Sequence, residues 1–172
     1  DKSHIDTLLN VVDGFSEIYW ILTLPNADTG SRTIIKKIED FVRNYPEKSC
    51  LFSSLGQLRY LSLLKNVNLM IGNSSSGIIE APSFELPVVN IGDRQKGRIR
   101  AANVIDVPVC EQDEIEKAIN KAVSKDFRDS ITGLENPYGT GNASEKIVEI
   151  LRTVSLSDMS KKQFCELSKG CG

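Results

Sequence analysis

The chain has 172 residues, 40% hydrophobic and 26% charged, which is ordinary for one globular domain with a sizeable core. Its net charge of -2 and its pI near 5.5 do not favour a nucleic-acid-binding protein, whose surface is usually basic. No run of 18 apolar residues occurs, so the sequence predicts no membrane-spanning helix. The first residues lack the basic-then-apolar pattern of a secretion signal.

Helical and strand-like patterns alternate along the chain. In chain order, the sequence predicts a helix at 3–15, a strand at 17–24, a helix at 31–45, a strand at 49–55, a helix at 56–66, a strand at 67–72, a helix at 76–84, strands at 86–92 and 102–107, and helices at 111–125 and 142–154. Because the strands are apolar throughout, they indicate a parallel sheet that is buried on both faces. We therefore predict an α/β fold, a Rossmann-like doubly wound parallel sheet in residues 1–154, followed by a polar C-terminal tail in residues 155–172.

The cysteines give no sign of a metal centre. Cys50, Cys110, Cys165 and Cys171 form no C-x-x-C pair, and the single histidine, His4, is distant from them in sequence. We therefore predict no zinc site and no other metal or cofactor. Scattered cysteines without a secretion signal favour reduced thiols in a cytoplasmic protein.

The stretch "MIGNSSSGIIE" at residues 70–80 places three serines between two glycines, directly after a predicted strand. We call residues 72–77 the serine loop. Ligands of open parallel sheets bind beyond the carboxyl ends of the strands, where this loop lies. The hydroxyls of Ser74, Ser75 and Ser76 and the backbone N–H groups at the start of the next helix suit a phosphate group. The alternative is helix capping alone, for which one serine is enough.

Three better-known active-site motifs do not fit the serine loop. Gly72 and Gly77 have the spacing of a nucleotide P-loop, but Ile78 and Ile79 stand where that motif needs Lys and Ser or Thr. A nucleophile elbow would need glycine in place of Ser76. A Ser-His-Asp triad is not predicted in a chain whose one histidine is at position 4.

Two neighbouring features extend the predicted anion site. Glu80 lies one turn into the predicted helix, where its carboxylate could accept both hydroxyls of a ribose, although a solvated glutamate is the commoner case. The segment 90–100 follows the next strand, and we call its residues 92–100 the basic loop. It carries four cations, Arg94, Lys96, Arg98 and Arg100. Neighbouring strands should bring the two loops together, and arginine binds phosphate through two parallel hydrogen bonds.

The stretch "GNSSSGIIEAPSFELPVVNIGDRQKGR" resembles the signature of the UDP-N-acetylglucosamine 2-epimerases, in particular the hydrolysing branch that supplies bacterial sialic-acid-type synthesis. "LPNADTGSR" at 24–32 and "NPYGTGNASEKIVEIL" at 136–151 also resemble family segments, in the expected order. The resemblance covers about residues 20–151. It implies the GT-B architecture, two Rossmann-like domains with the active site between them. This chain resembles the C-terminal domain.

The resemblance also implies a UDP site. By similarity to the family, Ser74 and Ser75 would contact the diphosphate, with help from the backbone up to Gly77, and Glu80 would hold the ribose hydroxyls. The predicted UDP-binding residues are Asn26, Leu55, Ser74, Ser75, Ser76, Gly77, Glu80 and Arg94.

Three of these residues have more peripheral predicted roles. Arg94 would make a further contact with UDP. Asn26 would line the nucleotide side of the cleft, and Leu55 would lie beside the uracil through its backbone. The roles of Asn26 and Leu55 depend on the resemblance alone.

The reaction implied by the resemblance is an elimination of UDP together with the C2 proton, followed by addition of water to give an N-acetylmannosamine-type sugar. The family's acid and base carboxylates come mainly from the N-terminal domain, so we assign no catalytic residue here. His4 precedes Ile5 and is not the family's His-Pro histidine. We expect a fragment that binds UDP weakly, is inactive without its N-terminal domain and could form a homo-oligomer. The alternatives are a stand-alone nucleotide-sugar-binding module or the C-terminal half of another GT-B glycosyltransferase.

Overall fold

The computed structural model describes residues 2–25 and 31–154. Its helices and strands follow the predicted alternation. The helices are α1 (Lys2–Gly14), α2 (Ser31–Asn44), α3 (Gly56–Asn66), α4 (Ser76–Ile79), α5 (Gln112–Val123), α6 (Lys125–Ser130) and α7 (Ala143–Thr153), with a 3₁₀ helix at Ala81–Phe84. The strands are β1 (Trp20–Thr23), β2 (Ser49–Phe52), β3 (Met70–Gly72), β4 (Val88–Ile91) and β5 (Val104–Val107).

Every strand pair in the described residues is parallel. β1 pairs with β2, with Ile21 opposite Cys50. β4 lies between β3 and β5, with Val89 opposite both Ile71 and Ile105. Parallel strands that alternate with helices, except between β4 and β5, confirm the predicted α/β class.

The strands form a two-stranded and a three-stranded sheet rather than one continuous ladder. Within residues 2–25 and 31–154, β1 pairs only with β2, and the outer strand β3 pairs only with β4. A cavity of about 670 Å³ is lined mainly by residues 17–21 and 66–71, in and before β1 and β3, and also by residues of α3 that include Tyr60. The candidate loops at the carboxyl end of β3 and β4 lie outside its lining.

The main core forms where helices cover the three-stranded sheet. All four residues of β4 are buried, as the continuous apolar pattern predicts for a central parallel strand. α5 packs on β4 and β5 through Ile115 and Ile119, which are fully buried, and α1 packs on α5 with Val11 and Val12. The sheet therefore provides a rigid base for the loops that follow its strands.

One predicted helix is interrupted, and one helix was missed. The helix predicted at 76–84 is α-helical only to Ile79 and continues as the 3₁₀ helix, because Pro82 cannot donate the next backbone hydrogen bond and its ring crowds the preceding turn. The unpredicted α6 begins after Ser124, whose hydroxyl accepts a hydrogen bond from the Phe127 N–H at 3.3 Å.

The chain contains two compact units, residues 1–139 and residues 140–172. All five strands belong to the first unit, and α7 belongs to the second. The predicted boundary at residue 154 stays a prediction. None of the helices in the described ranges is long and apolar enough to cross a membrane.

Candidate functional site

The serine loop follows a path that requires its two glycines. Gly72 ends β3 with φ +142°, a backbone conformation that residues with a Cβ rarely adopt. Gly77 lies against the sheet, where an added Cβ would stand 2.9 Å from Val88 Cγ1. The loop can therefore lie directly on β3 and β4 only because position 77 has no side chain.

Backbone hydrogen bonds close the serine loop on itself. The Gly77 N–H donates to the Ser74 carbonyl at 3.2 Å, and the Ser76 N–H donates to Ser74 Oγ at 3.3 Å. Ser75 stands at the N-cap of α4 without a side-chain capping bond. The capping alternative therefore does not account for the Ser75 hydroxyl. Because α4 has only four residues, it adds little helix dipole, and anion binding here depends mainly on hydroxyls and side-chain charge.

Glu80 is linked to a tyrosine that the sequence did not single out. Tyr60 Oη, on α3, donates to Ser76 Oγ at 2.7 Å, and Ser76 Oγ donates to Glu80 Oε2. All three residues are half-buried. Burial, and the charge of Glu80, raise the pKa of Tyr60 above its ordinary value, so Tyr60 remains a neutral donor. The Ser76 hydroxyl is thus engaged inside the site, whereas Ser74 is exposed.

The basic loop lies beside the serine loop, as the sequence predicts. The pairing of β3 with β4 places the two loops at the same end of neighbouring strands. Gln95 then joins them, because its Nε2 donates to the Asn73 carbonyl at 2.8 Å. Gln95 is only 4% exposed. Gln95 was not among the predicted site residues, because nothing distinguishes one uncharged side chain between four cations as part of a binding site.

The cations of the basic loop differ in their availability. Arg100 is engaged within the protein: its Nε lies 2.9 Å from Asp106 Oδ2, and its Nη2 donates to the Gln95 carbonyl at 3.2 Å. Arg94 is exposed and has no ion-pair partner in residues 2–25 and 31–154. Arg100 therefore orders the loop, and Arg94 is free to bind an anion.

A third segment, residues 136–138, is hydrogen-bonded to α4, to the 3₁₀ helix and to the basic loop. Asn136 Nδ2 donates to the Ile79 carbonyl at 2.8 Å and to Ser83 Oγ at 2.7 Å. Tyr138 Oη donates to the Ile99 carbonyl at 3.0 Å. Both residues lie in the "NPYG" stretch, part of the segment that resembles the family. That resemblance was the one feature of the sequence that could have identified them as site residues.

Two predicted site residues are not among those that the structure shows in this group. Leu55 is half-buried at the N-cap of α3, beyond the end of β2, so its contact with a base stays a prediction. Asn26 lies outside the described residues. The structure thus brings together Ser74, Ser75, Ser76, Gly77 and Glu80 in one loop and helix, with the basic loop of Arg94 bonded to that loop.

Comparison with known proteins gives one consistent result. The profile of a family described as UDP-N-acetylglucosamine 2-epimerase matches residues 1–152. The chain is 39% identical over 167 residues to a GDP/UDP-N,N'-diacetylbacillosamine 2-epimerase (hydrolyzing) of Campylobacter jejuni, covering 96% of this chain and 43% of that protein. It is 40% identical over 152 residues to the polysialic acid biosynthesis protein P7 of Escherichia coli, covering 88% and 38%. The chain therefore spans about two fifths of the length of these relatives.

Solved structures show the same fold. A UDP-GlcNAc 2-epimerase from Neisseria meningitidis bound to UDP-GlcNAc superposes with a TM-score of 0.66 at 22% identity, covering 89% of this chain and 41% of that one. The S. aureus MnaA–UDP co-structure gives a TM-score of 0.67 at 19% identity, covering 88% and 40%. At these identities the likeness shows the fold alone, and it supports the predicted α/β fold as one half of a GT-B architecture.

Proposed function

Because this chain belongs to the UDP-N-acetylglucosamine 2-epimerase family, we propose that it is the UDP-binding half of a hydrolysing UDP-sugar 2-epimerase. One observation carries the proposal. The serine loop and the basic loop lie at the carboxyl ends of neighbouring parallel strands and are joined by the Gln95–Asn73 hydrogen bond. This is the position at which parallel α/β sheets bind phosphorylated ligands.

Each group of the site has a part in holding UDP. Ser74 and Arg94 are exposed on the two linked loops, and a hydroxyl and a guanidinium without an ion-pair partner among the described residues both suit a diphosphate. Ser75 adds a second hydroxyl that is not used in capping. Glu80 uses Oε2 to accept from Ser76, which leaves Oε1 as an acceptor for the ribose hydroxyls.

The proposed reaction eliminates UDP and the C2 proton of a UDP-N-acetylglucosamine-type substrate, giving a 2-acetamidoglucal. Water then adds with inversion at C2 and releases an N-acetylmannosamine-type sugar. Negative charge grows on the departing diphosphate, so hydrogen-bond donors and a cation already in place lower the barrier more than they stabilise the bound substrate. This half of the enzyme would therefore stabilise the leaving group.

In our proposal, the acid and base groups that transfer the proton do not belong to this chain. We assign the general acid and base to the remaining part of the protein, since this chain spans about two fifths of its curated relatives. We accordingly propose that this chain alone binds UDP and is inactive. We also propose a cytoplasmic location, which the free thiols of Cys50 and Cys110 support.

The test is a calorimetric titration of the chain with UDP, together with Glu80→Ala and Arg94→Ala. We expect saturable binding by the wild type and a loss of about tenfold or more in each variant, since a hydrogen bond to a charged group contributes roughly 1.5–3 kcal/mol. Lys96→Ala is the matched control, because it removes an exposed cation from the same loop that has no predicted UDP contact.

A second measurement addresses the reaction. The complete encoded protein should release UDP and a free sugar from a UDP-N-acetylglucosamine-type substrate, and Glu80→Ala should impair this release. UDP binding without turnover by the complete protein would favour a nucleotide-sugar-binding module. Failure of the complete protein to bind UDP would refute the proposal.

A further inference from the structure

The hydrogen-bond chain from Tyr60 to Glu80 joins two elements that are separate in sequence. Tyr60 lies on α3, sixteen residues before Ser76, and Ser76 and Glu80 stand one turn apart at the two ends of α4. Tyr60 also packs against the core cluster that contains Leu64 and Val88. Its ring is therefore fixed by the core, and its hydroxyl by the site.

The direction of these bonds follows from the number of protons available. A serine hydroxyl carries one proton and can accept further hydrogen bonds. When Ser76 Oγ accepts the proton of Tyr60, its own proton is directed at Glu80 Oε2. Without Tyr60, the Ser76 hydroxyl could rotate to another acceptor, and the Glu80 carboxylate would lose its orientation.

We propose that Tyr60 is a positioning residue: through Ser76 it fixes the Glu80 carboxylate so that Oε1 is presented to a ligand carrying a vicinal diol. This inference rests on the proposed function, in which Glu80 accepts hydrogen bonds from the ribose hydroxyls of the nucleotide. A carboxylate that is already oriented avoids the entropic cost of ordering it on binding. Chains of hydrogen bonds also polarise one another, so the bond to Ser76 is strengthened by the bond from Tyr60.

The test compares UDP with 2′,3′-dideoxy-UDP, which keeps the base and the diphosphate but lacks the diol. In the complete encoded protein, Tyr60→Phe removes one oxygen and keeps the ring that packs on the core. We expect UDP affinity to fall about fivefold, the loss expected for one hydrogen bond. The affinity for the dideoxy analogue should not change. Tyr45→Phe is the matched control, because the Tyr45 hydroxyl donates to Asp13 on α1, and it should affect neither ligand.

A double-mutant cycle tests whether the effect passes through Ser76. Ser76→Ala should give the same loss that is selective for UDP, and adding Tyr60→Phe to it should cause no further loss. Additive losses, or equal losses for the two ligands, would mean that Tyr60 supports the loop in general and would overturn the inference. Unchanged UDP affinity in Tyr60→Phe would overturn it as well.

The outcomes separate this inference from the proposed function. If the wild-type protein binds neither ligand, the proposed function fails and the inference falls with it. If the wild type binds both ligands equally, UDP binding stands and the diol contact is refuted. If the wild type prefers UDP and the Tyr60→Phe protein retains that preference, only the role of Tyr60 is refuted.

Discussion

The loops that follow β3 and β4 are held mainly by hydrogen bonds between distant parts of the chain, with one ion pair between Arg100 and Asp106, whereas the surface around β1 and β2 is held mainly by ion pairs. On the first side, Gln95 donates to Asn73, and Asn136 donates to Ile79. On the second side, Lys48 pairs with Asp13 at 2.6 Å and lies over the Tyr45 ring. α1 and α2 are joined in the same way by Lys37 and Asp6.

This difference indicates which side can present a precise binding geometry. Hydrogen bonds from buried or half-buried amides have narrow angular limits and are not screened by salt, so they hold a loop in one arrangement. The ion pairs around β1 and β2 join half-buried lysines to exposed carboxylates, and such pairs contribute little and weaken with salt or acid. The candidate site lies on the side where the loops are held by the more directional bonds.

Gly77→Ala should have the largest effect on the loops that follow β3 and β4. The added Cβ would stand 2.9 Å from Val88 Cγ1 on the fully buried strand β4, so the serine loop must lift or the core must shift. We expect unfolding to become about 1–3 kcal/mol easier, the usual cost of overpacking, and UDP binding to be lost. Urea unfolding and UDP titration measure the two effects. Gly14→Ala is the control, because nothing lies within 4 Å of a Cβ there, and equal effects of the two changes would contradict this explanation.

Asn136→Ala should have the next largest effect. It removes three hydrogen bonds: Nδ2 donates to the Ile79 carbonyl and to Ser83 Oγ, and Oδ1 accepts from the Tyr138 N–H. We expect a loss of roughly 2 kcal/mol of unfolding free energy, about 1 kcal/mol for the part-buried bond to Ile79 and about 0.5 kcal/mol for each of the two exposed bonds. Asn120→Ala on the exposed face of α5 is the matched control and should change stability little. Thermal unfolding of both variants checks the prediction, which fails if Asn136→Ala unfolds at the same temperature as the control.

Gln95→Leu should separate binding from stability. The substitution removes the bond to Asn73, but it also removes Oε1, which is buried without a partner among the described residues. We therefore expect the unfolding free energy to change by less than about 1 kcal/mol, because removing the unpartnered Oε1 offsets the loss of the hydrogen bond from Nε2. UDP affinity should fall severalfold, since the two loops are no longer joined. Calorimetry and urea unfolding distinguish these outcomes. A large stability loss with unchanged affinity would show that Gln95 serves the core instead.

Asp13→Asn should give the smallest effect, and this effect should be confined to the surface around β1 and β2. The hydrogen bond from Lys48 holds the pKa of Asp13 below its ordinary 3.8, with the Tyr45 hydroxyl contributing. Since the folded-state pKa is the lower one, the stabilisation is present above the unfolded-state pKa and is lost as the pH falls through the folded-state pKa. Asp13→Asn should thus be slightly less stable than wild type at pH 7, and the difference should be smaller near pH 3. Urea unfolding at both pH values tests this, and a constant difference would refute it. UDP binding at pH 7 should not change.

Local sequence features determined the elements and the identity of the fold. The strand "LPVVNIG" has no polar alternation, which only a strand buried on both faces tolerates, and it proved to be the central strand β4. α3 occupies the predicted residues 56–66, because a loop and Val67 bound an uninterrupted helical pattern. The serine loop and Arg94 could be identified because their chemistry is visible in a short stretch of sequence.

Only the tertiary structure decided which of these groups meet. Pro82 ends α4 after one turn, so the helix dipole expected at the serine loop is largely absent. Gln95 and Asn73 are 22 residues apart, Tyr60 and Ser76 are 16 apart, and Asn136 and Ile79 are 57 apart. Residue type and spacing do not predict such pairs, because each bond forms only after a helix or loop has packed on the sheet at one depth and angle. The sequence by itself therefore determined the strands, most of the helices and the serine loop and Arg94 of the candidate site, whereas packing decided which other residues join the site and its geometry.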